Sequence, residues 1–368
     1  MALPLQRFGK RQFCLIILGG IIMSTTLEMI REFGHEEVAF FQNEKAGLKC
    51  IIGVHSTKLG PALGGCRLYP YATMDDALFD VLRLSRGMSF KNAAAGLPIG
   101  GGKGVIIADA SMKSQALFEA YGEAVESLQG RYLTAEDVNT TVQDMSWVMN
   151  KTKFVVGQDG VSGDPSPFTA IGVFDGVRAT AKFLFGTDDL KGVKIGLQGL
   201  GHVGFDVCRQ LYEAGADLTV ATHSNRANMK VAVEQWGAKE VTDEELYRTE
   251  CDILVPCALG ATLNYTTIPA LNCKAVAGAA NNQLLDDECG KLLKARGIAY
   301  APDFIINGGG VINAGQEAFT TYDKEKVLKQ VHNIYNTVYG ILEESKASGE
   351  PEGVIAQRFA EERIRNGL

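Results

Sequence analysis

The stretch Lys194-Ile-Gly-Leu-Gln-Gly-Leu-Gly-His-Val-Gly204 decides the fold of the second half of the chain. An apolar strand leads into Gly199, Gly201 and Gly204, which form the pattern G-x-G-x-x-G, and residues 202–214 continue with helical spacing. Glycines at these positions let backbone approach a pyrophosphate, which the helix N-terminus then stabilises with free N–H groups and its dipole. The stretch therefore predicts a dinucleotide-binding turn, with a plain tight turn as the alternative.

Strand-like and helical stretches alternate around this turn. The expected strands are residues 193–198, 217–222, 251–256, 275–280 and 298–301, and the expected helices are 169–185, 202–214 and 226–236. Such alternation is typical of a doubly wound parallel sheet. We therefore predict an α/β protein of two domains, an N-terminal α/β domain (24–160) and a Rossmann-type domain (161–325). Helices within 326–368 are expected to return to the first domain, and residues 1–23 to be an extension outside the fold.

The first domain is predicted to contain both secondary-structure types and two unusual lysines. We expect helices over residues 27–33, 73–88 and 114–128, strands at 37–41, 48–55 and 104–108, and a loop at 132–137. Lys91 and Lys103 bracket a stretch without other charge, and Leu97 and Gly104 exclude a P-loop there. A lysine in so apolar a setting pairs with an anion or loses its proton. One can therefore hold a carboxylate and the other can act as a base.

Composition excludes several classes of protein. The 368 residues carry 36 Lys plus Arg against 43 Asp plus Glu, a net charge of −7, so the basic footprint of a nucleic-acid partner is missing. The apolar run Phe13–Met23 is shorter than the roughly 20 residues that span a membrane. We interpret residues 1–22 as translation from a start upstream of Met23. The eight cysteines contain no CxxC pair, which favours reduced thiols in a cytoplasmic protein and no metal site.

Six short segments occur in a fixed order along the chain. They are Gly60-Pro-Ala-Leu-Gly-Gly-Cys-Arg67, Arg86-Gly-Met-Ser-Phe-Lys91, Gly100-Gly-Gly-Lys103, Thr134-Ala-Glu-Asp137, Gly163-Asp-Pro-Ser-Pro167 and Asn307-Gly-Gly-Gly-Val-Ile-Asn313. Together they resemble the glutamate/leucine/phenylalanine/valine dehydrogenase family, and most closely its leucine dehydrogenase branch. The resemblance extends over about residues 26–365. It implies reversible, NAD-dependent oxidative deamination of an L-amino acid to a 2-oxo acid and ammonia.

The resemblance also implies roles for individual residues. Lys91 would bind the substrate α-carboxylate, Lys103 would be the catalytic lysine that activates water, and Asp137 would shuttle protons. The substrate would also contact Leu63, Gly64, Ala135, Val311 and Ala314. The cofactor would contact Thr169, Asn282 and the turn residues Gly199, Leu200, Gly201, His202, Val203 and Gly204. Residues 24–160 would bind substrate and form a homo-oligomer, with an octamer as one expected form.

Two positions bear on the preferred amino acid. Glutamate members of the family carry Lys where Leu63 stands and a polar residue near Ala314, so a glutamate side chain would here bury an unpaired carboxylate at a cost of several kcal/mol. Leucine, valine and isoleucine are therefore the expected substrates. Ala314 replaces the Val usual in the leucine branch, and the larger pocket leaves phenylalanine and tryptophan open. A non-catalytic nucleotide-binding regulator is a third interpretation, which the retained Lys91, Lys103 and Asp137 disfavour.

The chain departs from the dinucleotide pattern at one point. An acid about 20 residues after the glycines normally binds the adenosine ribose. Here the strand ends Val220-Ala-Thr-His-Ser-Asn-Arg226, with no acid at its tip. His223 and Arg226 could attract a 2′-phosphate instead. The sequence thus predicts contact between the cofactor and His223, and leaves NAD and NADP both open.

Overall fold

The computed structural model of the chain describes residues 26–157, 162–258, 260–317 and 322–367. It contains a five-stranded and a six-stranded sheet, each packed against helices. The predicted α/β class, with an N-terminal domain followed by a doubly wound domain, is confirmed. The predicted extension over residues 1–23 lies outside the described residues. Within the described ranges, no helix is long and apolar enough to cross a membrane.

The first domain is built on three parallel strands extended by an antiparallel pair. Its strands are β1 (Glu37–Asn43), β2 (Leu48–Ser56), β3 (Ala62–Tyr69), β4 (Gly100–Ile107) and β5 (Tyr132–Glu136), and its helices are α1 (Thr26–Phe33), α2 (Met74–Ala94), α3 (Gln115–Ser127) and α4 (Val142–Met149). The sheet order is β1-β2-β4-β3-β5. The pairs β1–β2 and β2–β4 are antiparallel, whereas β3 is parallel to β4 and β5. The carboxyl ends of β3, β4 and β5 therefore lie along one edge of the sheet.

Helix α2 lies directly on this sheet because glycine faces it. The helix begins where the Thr73 side chain accepts a hydrogen bond from the backbone N–H of Asp76. A Cβ atom placed on Gly101 would lie 2.0 Å from the backbone nitrogen of Ser89 in the helix. Only glycine permits so close an approach. The apolar residues buried between α2 and the sheet are Ile51, Ala77, Leu78, Val81, Leu82 and Val105.

The second domain is a parallel sheet of the Rossmann type. Its strands are β6 (Lys194–Gln198), β7 (Asp217–Ala221), β8 (Lys239–Glu240), β9 (Ile253–Pro256), β10 (Ala275–Val276) and β11 (Ala299–Tyr300), and the helices from its start to its last strand are α5 (Ser166–Phe185), α6 (His202–Glu213), α7 (Arg226–Glu234), α8 (Asp243–Arg248) and α9 (Asp287–Ala295). The order β11-β10-β9-β6-β7-β8 reverses direction between β6 and β9. In such sheets, ligands bind outside the carboxyl ends of the strands at the point of reversal.

Helices after the second sheet connect the two domains. They are α10 (Asp303–Ile306), α11 (Gly309–Glu317), α12 (Lys324–His332), α13 (Ile334–Ser348) and α14 (Glu352–Asn366). Helix α13 packs on α5, whereas α14 packs on α2 of the first domain. The Arg363 side chain of α14 donates hydrogen bonds to the carbonyl oxygens of Ala93 and Ala94, at 3.0 and 2.9 Å. Helices α12 and α13 meet at Asn333, which is the C-cap of the first and the N-cap of the second.

Three local predictions in the first domain were wrong. Residues 132–137, expected as a loop, form β5 through residue 136, because this segment pairs with β3 along its whole length. The strand expected to begin at residue 104 begins at Gly100, and Gly101 in its first half is needed for close contact with α2. The helix expected to end at Met88 continues to Ala94, so Lys91 lies in its last turn.

The contact between α2 and β4 can be tested by adding a single methyl group. We expect Gly101→Ala to lower the free energy of unfolding by about 2 kcal/mol or more, because the added Cβ meets helix backbone that cannot move aside. Urea unfolding followed by circular dichroism measures this difference. Gly87→Ala is the matched control, because its Cβ would enter open space on the same helix, and it should stabilise by up to about 1 kcal/mol. Equal stability of the two variants would contradict the proposed role of Gly101.

Candidate active site

Lys103 and Asp137 form an ion pair at the carboxyl edge of the first sheet. Lys103 lies in β4 and is 5% exposed, and its Nζ is 2.9 Å from Oδ2 of Asp137, the residue that follows β5. The close approach of β3 to the neighbouring strand is permitted by Gly64, because a Cβ there would lie 1.7 Å from the carbonyl oxygen of Gly102. The predicted catalytic pair is therefore in direct contact.

A second layer of charge holds the Asp137 carboxylate. Arg67 donates from Nε to Oδ2 of Asp137 at 3.2 Å and from Nη1 to Asp80 at 2.8 Å. The Thr140 hydroxyl accepts a hydrogen bond from the backbone N–H of Asp137 at 2.7 Å. Burial on its own raises the pKa of Asp137, but the positive charges of Lys103 and Arg67 outweigh it and keep the pKa below its usual value. Asp137 is therefore an anion at neutral pH and can accept a proton.

Lys91, in the last turn of α2, is the second lysine of this site. Its ammonium group makes no hydrogen bond or ion pair with the part of the chain that the structure describes. Burial lowers the pKa of Lys91 from 10.5 to about 8, and the nearby charge of Lys103 lowers it further, while Asp303 and Asp137 oppose the shift. Lys91 is therefore a cation near neutral pH that has no anion bound to it, as a carboxylate-binding group requires.

An apolar cluster adjoins these charged groups. Leu63 pairs with Gly101 in the sheet, two residues before Lys103, and thus lies on the same face as the lysine. The cluster contains Leu63, Leu97, Ile99 and Val156, with Ala135 and Val311 packed against it. Ala314 is half-buried one helical turn after Val311 on α11, outside this cluster. Three of the four predicted apolar pocket residues are thus in contact with one cluster, which both domains build.

The glycine-rich turn of the second domain has the geometry of a dinucleotide-binding turn. Gly199 has a φ of 93°, and its N–H donates to the carbonyl oxygen of Ala221 at 2.7 Å. A Cβ on Gly204 would lie 2.1 Å from the Gly199 carbonyl oxygen, so α6 could not pack on the turn without glycine. Helix α6 begins after Gly201 with no side-chain cap, and its first N–H groups are left for a ligand. The turn therefore fits a pyrophosphate.

The other predicted cofactor residues lie around the carboxyl edge of the second sheet. His202 is exposed at the N-terminus of α6, Leu200 is buried and Val203 is half-buried. Thr169 lies in the first turn of α5, where a Cβ on Gly310 would lie 2.7 Å from its hydroxyl oxygen. Asn282 is exposed with a φ of 51°, and its carbonyl oxygen accepts from the N–H of Ala261 at 2.6 Å.

The end of β7 bears on the expectation that His223 or Arg226 could attract a 2′-phosphate. His223 is paired through Nε2 with the carboxylate of Asp243, and Arg226 is paired through Nη2 with Glu240 at 2.7 Å. Both basic residues that could attract a 2′-phosphate therefore already contact an acid. No group of three or more His, Cys, Asp or Glu side chains within the described ranges could hold a metal ion.

Comparison with known proteins shows the family to which this chain belongs. The family model "Glu/Leu/Phe/Val dehydrogenase, dimerisation domain" matches residues 35–154, and "Glutamate/Leucine/Phenylalanine/Valine dehydrogenase" matches residues 217–362. The chain belongs to the glutamate/leucine/phenylalanine/valine dehydrogenase family. It is 49% identical to leucine dehydrogenase of Bacillus cereus over 341 residues, which cover 92% of this chain and 93% of that protein. The family resemblance inferred from the six sequence segments is confirmed, and the protein is an amino-acid dehydrogenase of the leucine dehydrogenase type.

Solved structures of relatives agree with the fold. The crystal structure of L-tryptophan dehydrogenase from Nostoc punctiforme superimposes with a TM-score of 0.84 at 43% identity, covering 93% of this chain and 99% of that one. A hetero-hexameric glutamate dehydrogenase from Thermus thermophilus has a TM-score of 0.73 at 24% identity, which shows the shared fold. Members of the family use NAD or NADP, and the glycine-rich turn described above fits the pyrophosphate of either.

Four charged residues at these sites were not assigned roles from the sequence. Arg67 ends the segment Gly60–Arg67, but nothing in the sequence indicated a role for it. Asp80 is 13 positions further on, and no spacing pattern relates it to Arg67. Asp303 and Asp243 are the first residues of α10 and α8, and the fold alone brings them near Lys91 and His223. A sequence pattern reports local spacing, whereas these contacts depend on which strands and helices pack together.

The unpaired state of Lys91 makes a prediction about stability. Because the folded-state pKa of Lys91 is about 8 and the unfolded value is 10.5, the folded chain holds this proton less tightly. Protonation therefore destabilises the fold fully below pH 8, and the penalty is relieved as pH rises from 8 to 10.5. We expect Lys91→Met to raise the thermal unfolding midpoint at pH 7, with a gain that shrinks at pH 10.

Lys103→Met is the matched comparison, because this lysine has an ion-pair partner. Its replacement removes one of the two cations that contact the Asp137 carboxylate, and we expect a lower midpoint at pH 7. Differential scanning calorimetry of the two variants and the unmodified chain at both pH values measures these shifts. A lower midpoint for Lys91→Met at pH 7, or a gain that does not change with pH, would refute the electrostatic explanation.

Proposed function

We propose that the protein catalyses the reversible, NAD-dependent oxidative deamination of a branched-chain aliphatic L-amino acid, leucine and also valine and isoleucine, to the 2-oxo acid and ammonia. The observation that carries this proposal is the unpaired Lys91 ammonium beside the Lys103–Asp137 pair, with an apolar cluster on the same face of the sheet. An amino acid with an aliphatic side chain offers matching groups: a carboxylate, an amino group and an apolar end.

The substrate carboxylate binds to Lys91. This lysine needs an anion because nothing else in the described chain neutralises its ammonium group, and the substrate α-carboxylate supplies one. Gly64 lies against the carbonyl oxygen of Gly102, where no side chain would fit, so only its backbone can contact the substrate. The carboxylate thereby orients Cα toward the second domain, and this positioning accounts for a large share of the rate acceleration.

Proton transfer is assigned to Lys103 and Asp137. Asp137 is ionised at neutral pH and accepts a proton from the substrate ammonium group, which leaves an amine whose lone pair can form the C=N bond. The bound nicotinamide ring supplies the hydride acceptor. Lys103 then holds the water that adds to the imino carbon, and it exchanges protons with Asp137 across the 2.9 Å contact. Departure of ammonia gives the 2-oxo acid.

The cofactor is held by the second domain. We assign the pyrophosphate to the turn from Gly199 to Gly204, including Leu200, His202 and Val203, and the nicotinamide end to Thr169 and Asn282. NAD is favoured over NADP because His223 and Arg226 each contact a carboxylate and have no free charge for a 2′-phosphate. We place His223 beside the adenosine ribose of the cofactor, where it pairs with Asp243.

The apolar cluster supports an aliphatic substrate over a dicarboxylic one. Leu63 is 3% exposed among apolar neighbours, so a second carboxylate placed there would be desolvated without a partner. Ala135, Val311 and Ala314 complete the proposed pocket. An aromatic amino acid is the second candidate, because Ala314 is small and half-buried and the chain is 44% identical over 340 residues to L-tryptophan dehydrogenase of Nostoc punctiforme.

The protein is further proposed to act as a cytoplasmic homo-oligomer. The seven cysteines within the described ranges are free thiols, which suits a reducing compartment. The family model that matches residues 35–154 is a dimerisation domain, and β1 ends that sheet with Phe40 exposed. An edge strand with an exposed aromatic residue is suited to pairing with a second copy. An octamer is the assembly that we propose.

Initial rates on a panel of amino acids test the proposal. We expect turnover of leucine, valine and isoleucine with NAD at alkaline pH, and little or none of glutamate. Lys103→Ala should lower turnover by about a thousandfold, within the range for loss of a general acid–base group, while NADH binding and the circular dichroism spectrum are retained. Faster turnover of phenylalanine or tryptophan than of leucine would transfer the assignment to an aromatic substrate. Full turnover by Lys103→Ala would exclude the proposed chemistry.

Position 314 tests the pocket assignment separately. We expect Ala314→Val to raise the ratio of kcat/KM for leucine to that for phenylalanine by about tenfold, because two added methyl groups narrow the pocket and such changes alter discrimination by about 1–3 kcal/mol. Val354→Ala, an exposed apolar position on α14, is the control that should leave the ratio unchanged. An unaltered ratio in Ala314→Val would place residue 314 outside the substrate pocket.

A further inference from the structure

The carboxyl end of β7 carries ion pairs that neither the family assignment nor the glycine turn explains. The acid that normally follows this strand is absent, and basic His223 and Arg226 stand there instead. Each of these two residues contacts an acid from the next strand–helix unit, Asp243 and Glu240 respectively. The acids therefore reach the end of β7 from a different part of the chain.

Sheet register explains how they reach it. Glu240 pairs with Val220 in the parallel ladder of β7 and β8, and the N–H of Val241 donates to the Val220 carbonyl oxygen at 3.0 Å. Three further residues along each chain bring His223 beside Asp243. The parallel pairing of β7 with β8 thus places an acidic side chain at the edge of the sheet where the ribose-binding acid is normally found.

This edge adjoins the dinucleotide turn. The Gly199 N–H donates to the carbonyl oxygen of Ala221, the last residue of β7, at 2.7 Å. The Asn228 side chain, on the helix that follows β7, donates to the carbonyl oxygen of Leu200 at 2.8 Å. The turn and the end of β7 are therefore held together by direct hydrogen bonds. A charge at the end of β7 therefore acts on the part of a bound dinucleotide that lies next to its pyrophosphate.

Of the two acids, Asp243 is the one with a carboxylate oxygen available to a ligand. Its side chain is 13% exposed, and its Oδ1 has no hydrogen-bond partner within the described residues. Its only ion-pair partner there, His223, is 85% exposed. A carboxylate oxygen that is removed from water and lacks a donor is unfavourable in the free protein. A ribose hydroxyl is a donor of the kind that it lacks.

We propose that Asp243, assisted by Glu240, takes the place of the missing ribose acid and sets the preference for NAD over NADP. The inference rests on the proposed dinucleotide-dependent function and names the residues that determine its cofactor. The two carboxylates pair with His223 and Arg226, and they repel the two negative charges of a 2′-phosphate placed beside them. The nucleotide that fits is thus a dinucleotide with free hydroxyls on its adenosine ribose.

Direct binding of NADH and NADPH to the full chain, followed by nucleotide fluorescence without any amino acid, tests this inference. We expect NADH to bind at least about tenfold more tightly, and Asp243→Asn or Glu240→Gln each to reduce that preference by about three- to tenfold, since one charge within a Debye length is removed. The double variant should reduce it further. The effect of each variant should weaken as salt is added, because these charges are partly in water.

Glu250→Gln is the matched control. Glu250 is an exposed acid of the same domain, paired with Lys194 at 2.9 Å at the opposite, amino end of β6, and its replacement should leave the NADH-to-NADPH ratio unchanged. Asp243 also lies in the first turn of α8, where it stabilises the helix dipole. If Asp243 had only that structural role, Asp243→Asn would lower the unfolding midpoint but leave the NADH-to-NADPH ratio unchanged.

The outcomes separate this inference from the function on which it rests. A ratio that moves toward NADPH in Asp243→Asn and Glu240→Gln but not in Glu250→Gln supports the assignment. Unchanged ratios in both variants, or a preference of the unmodified chain for NADPH, would overturn it while dinucleotide binding itself stands. Failure of both nucleotides to bind would overturn the proposed function as well. Glu240 is partly exposed, so Glu240→Gln remains informative if Asp243→Asn does not fold.

Discussion

The ion pair between Lys103 and Asp137 is the interaction on which the rest of the site depends. A lysine that is 5% exposed in the middle of a strand is unfavourable unless an anion compensates it. Asp137 provides that anion, and Arg67 with Asp80 fixes the position of the carboxylate. Burial lowers the pKa of Lys91 to about 8, and the positive charge of Lys103 adds to this shift. The Lys103–Asp137 contact thus forms the proton-transfer pair and also contributes to the state of the carboxylate-binding lysine.

Glycine makes this buried charge geometrically possible. Gly64 and Gly101 let neighbouring backbone approach the strands that carry the charged residues, and Gly204 does the same for the helix of the dinucleotide turn. The 42 glycines of the chain include others that act as ordinary turn residues. At these three positions, and also at Gly100 and Gly309, a side chain would collide with backbone. Close packing of backbone against backbone is therefore a shared requirement of both domains.

Much of the fold and part of the site could be predicted from the sequence. The alternation of strands and helices in the second half predicts a parallel sheet. It can be recognised because apolar residues are spaced differently in helices and in strands. The segment 132–137 carried no such signal, since a five-residue strand paired at a sheet edge needs little apolar character. Asp243 and Asp303 were beyond prediction for a different reason. Asp243 reaches His223 through the pairing of β7 with β8, and Asp303 comes near Lys91 through the packing of α10 on α2; spacing along the chain encodes neither.

Helix α14 has a consequence for how the chain folds during synthesis. Arg363 satisfies carbonyl groups of Ala93 and Ala94 at the end of α2, about 270 residues earlier, and Ala360 is buried beside Phe90. The first domain leaves the ribosome long before these partners exist. Its last helical turn, which carries Lys91, stays incomplete until translation reaches α14. The carboxylate-binding lysine thereby depends on a helix about 270 residues later, so that a nascent chain completes this part of the site only after α14 has been synthesised.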